Sequence, residues 1–127
     1  MFSHIMIGSN DIERSKVFYD ALLIAIGGQP GTRDAKGRLI YAHRGGRLMV
    51  TKPIDGKTAT HANGGTIGLQ LSSPEQVDAW HKAGVESGGT AIEDPPGIRQ
   101  GASGPLYLAY LRDPDGNKLC ALHRSAS

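Results

Sequence analysis

The first half of the chain alternates between short apolar stretches and turns that contain glycine. In residues 2–8, Ile5 and Ile7 alternate with His4 and Met6, which predicts a strand with one apolar face. The polar residues 9–11 then favour a helix start, and apolar positions recur at helical spacing until Gly27 and Gly28. Further strands are predicted near 29–33, 38–43 and 47–52, with turns at 34–37 and 45–46 and a linker over 54–65.

The same order of elements returns in the second half. Residues 66–71 alternate like a strand, and Ser73, Pro74 and Gln76 are typical of a capped helix start. This second helix ends at Gly88 and Gly89. Strands are predicted over 90–93, 106–112 and 118–123, with a loop over 94–104 and a hairpin turn over 113–116.

The two halves share landmarks at one spacing. Three pairs of equivalent positions are each 62 residues apart: His4 and Thr66, Phe18 and Trp80, Gly27 and Gly89. A constant offset together with a repeated element order predicts two copies of a strand-helix-three-strand unit. Trp80 is expected to anchor the second helix as Phe18 anchors the first.

Composition narrows the class of protein. The chain has 127 residues, 18 glycines, 7 prolines, one cysteine and a net charge of +2. Such a length suits one domain, and the weak, scattered charge argues against a nucleic-acid or membrane partner. A lone cysteine excludes an internal disulfide, and residues 1–4 lack the features of an export signal. We expect a small cytoplasmic domain spanning residues 1–127.

Three segments resemble a known family. They are His4-Ile5-Met6 followed by residues 11–19 (DIERSKVFY), residues 77–81 (VDAWH), and residues 112–119 (RDPDGNKL). Together they resemble the superfamily of glyoxalases, bleomycin-resistance proteins and extradiol dioxygenases, also called vicinal oxygen chelate proteins. The resemblance implies an α+β fold in which two βαβββ modules form a curled mixed sheet around a cup, with the helices outside. Module 1 would span about 1–53 and module 2 about 66–123.

The resemblance also indicates where a metal would be held. Metal-using relatives bind a divalent ion through the first, fourth, fifth and eighth strands, usually with His, Glu, His and Glu. Here those positions fall on His4, Met49, Thr66 and Cys120. Only His4 matches, and cysteine is a good ligand only as a thiolate. We therefore expect no intact metal site and no cofactor, with a divalent metal held partly by Cys120 as the alternative.

Strand alternation predicts what lines the cup instead. The candidate ligand-binding residues are His4, Met49, Thr66, Gln70, Arg99 and Cys120. Arg99 would pair with a carboxylate or phosphate of the ligand, since guanidinium offers forked donors. Only one of Tyr107 and Tyr110 can face the cup, because they lie on opposite faces of one strand. No catalytic residue is assigned.

Three functions remain open. The first is a metal-free protein that binds a small organic molecule. The second is a metal-dependent lyase or isomerase of the lactoylglutathione lyase (glyoxalase I) type with an unusual ligand set. The third is a metal-free enzyme using Cys120 with His4. Because relatives commonly pair across their cups, and some build each site between two chains, we expect a homodimer.

Overall fold

The computed structural model describes residues 1–124. The first module contains β1 (Ile5–Gly8), α1 (Ile12–Ala25), β2 (Thr32–Arg33), β3 (Leu39–His43) and β4 (Gly46–Thr51). The second contains β5 (Ile67–Gln70), α2 (Pro74–Glu86), β6 (Thr90–Ala91), β7 (Gly97–Gly101), β8 (Gly104–Arg112) and β9 (Lys118–Arg124). Neither helix of the described residues is long and apolar enough to cross a membrane.

Each module builds its own mixed sheet. The first sheet has the order β1-β4-β3-β2, and the second has the order β5-β9-β8-β6 with β7 also paired to β8. The pairs β1/β4 and β5/β9 are parallel, and the remaining pairs are antiparallel. The predicted α+β fold of two repeated modules is confirmed. Among residues 1–124, no strand of one sheet pairs with a strand of the other, so β1 and β5 are sheet edges.

The predicted loop over 94–104 is wrong in its centre. Gly97–Gly101 forms β7 and pairs antiparallel with the first half of β8, while β6 pairs with its second half. β7 has glycine at both ends, and its only large apolar residue, Ile98, is exposed, so the hydropathy of the segment does not indicate a strand. Its strand conformation comes from hydrogen bonds to the open edge of β8. The strand predicted at 29–33 contracts to Thr32–Arg33.

The internal repeat is visible in the element boundaries. The starts of β1 and β5, and also of α1 and α2, are 62 residues apart. Asp11 caps α1 by accepting from the amide of Arg14, and Ser73 caps α2 by accepting from Gln76. The left-handed glycines that follow are Gly27 and Gly88, since α2 is one residue shorter than α1. The predicted equivalence of Gly27 with Gly89 is therefore wrong by one residue.

The core lies where the two helices pack against each other and against their own sheets. Phe18 of α1 and Trp80 of α2 are fully buried, as the repeat predicts. The close approach depends on Gly84, because a Cβ there would lie 2.3 Å from Cδ1 of Leu111 and 3.1 Å from Cδ2 of Leu22. The helices thus cover one face of each sheet and leave the other face uncovered.

The turn at 113–116 connects β8 and β9, as predicted, and also joins the modules. Asp113 accepts a 2.6 Å hydrogen bond from the hydroxyl of Tyr19 in α1. Asp115 accepts hydrogen bonds from the backbone N–H of Asn10 and from the guanidinium of Arg14, both at 2.9 Å. Both carboxylates are buried, so they need these donors. The turn therefore fixes the start of α1 against the second sheet.

Candidate functional site

The uncovered face of the first sheet carries two of the predicted site residues. Met6 on β1 lies opposite Met49 on β4, which lies opposite Ile40 on β3. Met49 is buried, and Met6 is 39% exposed. His4 precedes β1 and is exposed, with Nδ1 2.8 Å from the Ser3 hydroxyl. The alternation predicted for this strand is confirmed, because Ile7 packs on the core.

The uncovered face of the second sheet carries the others. Gly68 on β5 lies opposite Cys120 on β9, which lies opposite Tyr110 on β8. Gln70 is in register with Leu122 on the same face. Arg99 on β7 lies opposite Leu106, which shares the face of Tyr110. Thr66 is exposed and immediately precedes β5. We call these two uncovered surfaces the cup faces.

One chain does not bring the six predicted residues together. His4 and Met49 belong to the first sheet, whereas Thr66, Gln70, Arg99 and Cys120 belong to the second. Within the described residues the sheets do not pair. His4 and Cys120 also form hydrogen bonds with different neighbours. His4 bonds to the Ser3 hydroxyl, whereas the Cys120 thiol donates to the carbonyl of Ala121 at 3.7 Å. A single chain therefore divides the six predicted residues into two groups, which we call the half-sites, although His4 and Gln70 both line one cavity at the gap between the sheets.

Tyr110 is the functional candidate that the sequence left undecided. Its strand register places it beside Cys120, whereas Tyr107 points to the helix side and donates to Asp78 at 2.8 Å. Nζ of Lys118 lies 4.9 Å from the Tyr110 ring centroid and pairs with Glu93. Alternation along β8 shows in the sequence that Tyr107 and Tyr110 point to opposite faces. Which of the two faces the cup follows only from the position of α2.

The Cys120 thiol is neutral in this setting. Burial raises its pKa, which outweighs the opposing hydrogen bond from Tyr110 and the positive charges of Lys118 and Arg99. Burial and the neighbouring Cys120 also raise the pKa of Tyr110. Two protonated groups face each other here, so this part of the cup face offers hydrogen bonds without charge.

Arg99 is held by its own segment. Its guanidinium donates to the carbonyl oxygens of Gly97 at 3.0 Å and Asp94 at 2.9 Å. Arginine has five N–H donors, so this anchoring leaves donors for a ligand. The anchored side chain is half-buried, which reduces the conformational entropy lost when an anion binds.

Open space lies over the exposed Gly68 beside this cluster, and we call this space the hollow. A Cβ built on Gly68 would have no heavy atom within 4 Å, although the residue is paired on β5 and has an ordinary φ. Cys120 borders the hollow from the neighbouring strand, and Gln70 follows on the same face. Space of this kind next to fixed polar groups suits a small ligand.

The donors of one chain do not fit the divalent metal of metal-using relatives. Met49 offers a buried thioether, Cys120 a protonated thiol and Thr66 only a neutral hydroxyl. Among residues 1–124, no three His, Cys, Asp or Glu side chains are grouped so that they could hold a metal ion. We therefore derive no chemical step through a metal.

Comparisons with known proteins agree with this architecture. A family model described as the Glyoxalase/Bleomycin resistance protein/Dioxygenase superfamily matches residues 1–121. The chain therefore belongs to the glyoxalase/bleomycin resistance protein/dioxygenase superfamily. Its motifs at residues 4–19 and 112–119 correspond to β1 with α1 and to the turn that joins the modules.

Solved structures share the fold. A glyoxalase/bleomycin resistance protein from Albidiferax ferrireducens T118 is 58% identical, with a TM-score of 0.93 and coverage of 98% of this chain and 99% of that one. A putative glyoxalase from Bacillus halodurans is 24% identical, with a TM-score of 0.74 and coverage of 98% and 96%. At that identity the likeness shows the fold alone. No curated protein gives a significant match to the chain.

Proposed function

We propose that this protein binds a small organic molecule on its cup faces without using the metal of its metal-dependent relatives. The hollow over Gly68, bordered by Cys120, is the observation that carries the proposal. Tyr110 and Gln70 supply neutral hydrogen-bonding groups, and Arg99 supplies a positive charge for an acidic substituent. The free cysteine supports function in the reducing cytoplasm.

The complete cup needs a second copy of the chain. β1 and β5 are the edges next to the two half-sites, and unpaired edge strands pair readily with another chain. In a homodimer built on these edges, His4 and Met49 of one chain would face Thr66, Gln70 and Cys120 of the other. Sedimentation velocity measures this directly, and a monomer at micromolar concentration would contradict it.

The binding test uses a variant whose side chain would fill the hollow. Bleomycin, which the family name suggests, is titrated calorimetrically into the wild-type protein and into Gly68→Trp. We expect saturable binding that is lost in the variant, because the indole would occupy the hollow. Lys57→Trp, on the exposed linker, is the matched control and should bind normally. Equal binding by wild type and Gly68→Trp would place the ligand elsewhere, and no binding would exclude this probe's class.

A lyase of the glyoxalase type makes a different prediction. Protein purified without chelator would contain stoichiometric metal, and His4→Ala would lose it. The assay uses methylglyoxal with glutathione, and Ni, Zn, Fe and Mn salts are added separately. We expect no turnover with any of them. Metal-dependent turnover that disappears in His4→Ala would replace the binding proposal with the lyase.

A further inference from the structure

A cavity opens at the gap between β1 and β5, where the two sheets do not pair, and extends toward the helices. It has a volume of about 730 Å³, within the range of small-molecule sites. Ile5 and Leu48 of the first sheet and Ile67 and Leu69 of the second line it with the side chains that face the helices. His4, Gly68 and Gln70 also line this cavity, which we call the inner cleft, so it adjoins the cup faces at the gap between β1 and β5.

The floor of the inner cleft is apolar. Leu22, Leu119 and the rings of Tyr19 and Tyr41 are buried along it. The tyrosine hydroxyls are already used, because Tyr41 donates to Asp20 at 2.7 Å and Tyr19 donates to Asp113. The rings therefore present carbon surfaces, which favour a hydrocarbon group of a ligand.

The mouth of the inner cleft is basic. Arg44, Arg47 and Arg124 line it, and none of the cavity-lining residues within 1–124 is Asp or Glu. No described carboxylate pairs with these three guanidinium groups, whereas Arg14, Arg33 and Arg38 all form ion pairs elsewhere. The Arg44 guanidinium donates to the Ser72 hydroxyl at 2.6 Å and so bridges the two modules across the mouth.

His123 adds a polar group at the same end. Its Nδ1 lies 3.1 Å from the carbonyl oxygen of Leu71, which can only accept, so Nδ1 carries the hydrogen. Nε2 is then the ring atom left for a ligand. An apolar floor with a positively charged end matches a molecule that has one hydrocarbon part and one anionic group.

We propose that the inner cleft binds an amphipathic monocarboxylate, with its hydrocarbon chain between the sheets and its carboxylate at Arg44 and Arg47. Guanidinium suits this end because it stays charged at physiological pH and binds carboxylates through forked donors. The inference rests on the arginines and the helix-side apolar residues of the cleft, not on the binding proposed for the cup faces. β1 and β5 border the cleft, so a second chain on these edges would roof it and enclose the ligand.

The test distinguishes the contribution of the carboxylate to binding from that of the hydrocarbon chain. Octanoate and 1-octanol, which share a hydrocarbon chain, are titrated calorimetrically into wild type, Arg47→Gln and the double variant Arg44→Gln/Arg47→Gln. We expect one octanoate per chain, with affinity falling about tenfold in Arg47→Gln and further in the double variant. Octanol binding should not change. Lys57→Gln removes one exposed charge on the linker and should bind octanoate normally.

A second variant changes the apolar wall of the cleft. Ile5→Thr replaces the ethyl branch of the side chain by a hydroxyl group, so it should weaken the binding of octanoate and octanol by similar factors. Thermal unfolding checks that each variant is folded. The proposal is overturned if octanol binds as tightly as octanoate, if the arginine variants bind octanoate like wild type, or if a dimer binds neither probe because its second chain fills the cleft.

Discussion

The hydroxyl of Tyr19 donates a 2.6 Å hydrogen bond to Oδ2 of Asp113, and this contact joins the first helix to the last turn of the second module. Both residues are buried, with exposed fractions of 1% and 4%. Burial, followed by the charge of Asp113, raises the pKa of Tyr19 well above its ordinary value. The phenol therefore stays a donor throughout the physiological pH range.

Tyr19→Phe removes this donor and leaves a buried carboxylate oxygen with less compensation. We expect the free energy of unfolding to fall by about 1–3 kcal/mol, measured by urea denaturation. Tyr107→Phe is the matched control, because its exposed hydrogen bond to Asp78 should contribute less than about 1 kcal/mol. Equal losses in the two variants would show that the junction with Asp113 has no special weight.

Gly84→Ala tests the contact between the helices. Alanine favours a helix by about 1 kcal/mol over glycine, but here its Cβ would lie 2.3 Å from Leu111. We expect the clash to dominate and the free energy of unfolding to fall by about 1–3 kcal/mol. Gly68→Ala, whose Cβ would meet nothing within 4 Å, should change it by less than about 1 kcal/mol. A stabilised Gly84→Ala protein would contradict the packing described here.

Cys120 should react slowly with iodoacetamide. Since burial raises its pKa, little thiolate exists at pH 7.5. The reaction rate should therefore rise at a higher pH than that of an ordinary thiol, whose pKa is about 8.5. Mass spectrometry follows the reaction cleanly because the chain has one cysteine. Urea-unfolded protein supplies the ordinary profile, and matching profiles for the folded and unfolded chains would refute the prediction.

The ionisation of Asp20 makes the stability of the fold depend on pH. Its burial would raise the pKa, but hydrogen bonds from Lys16, the Gly31 amide and Tyr41 outweigh burial and lower it. The carboxylate therefore stabilises the fold above the unfolded-state pKa of about 4, and this contribution disappears as the pH falls through the lower folded value. Asp20→Asn should be destabilised most at neutral pH, and its deficit should shrink below about pH 4. A deficit independent of pH would mean that the charge is unimportant.

Much of the fold could be predicted from local signals. The capping side chains of Asp11 and Ser73 indicate where the helices start. Phe18 and Trp80 occupy the equivalent buried positions that the repeat predicts. The segment Gly97–Gly101 could not be predicted. It is a strand only because β8 offers an edge. Its pairing partners lie 3 to 11 residues further along the chain, and such pairing does not show in the polarity of the side chains.

The amino-acid sequence by itself determined which residues share a face, because alternation along a strand is a local property. It placed Thr66 with Gln70, and likewise His4 with Met6. Only the tertiary structure decided that these pairs belong to separate sheets, that Tyr110 lies beside Cys120, and that an arginine-lined cleft opens at the gap between the sheets. Those relationships depend on how the helices pack, and helix packing is set by contacts between residues far apart in the chain.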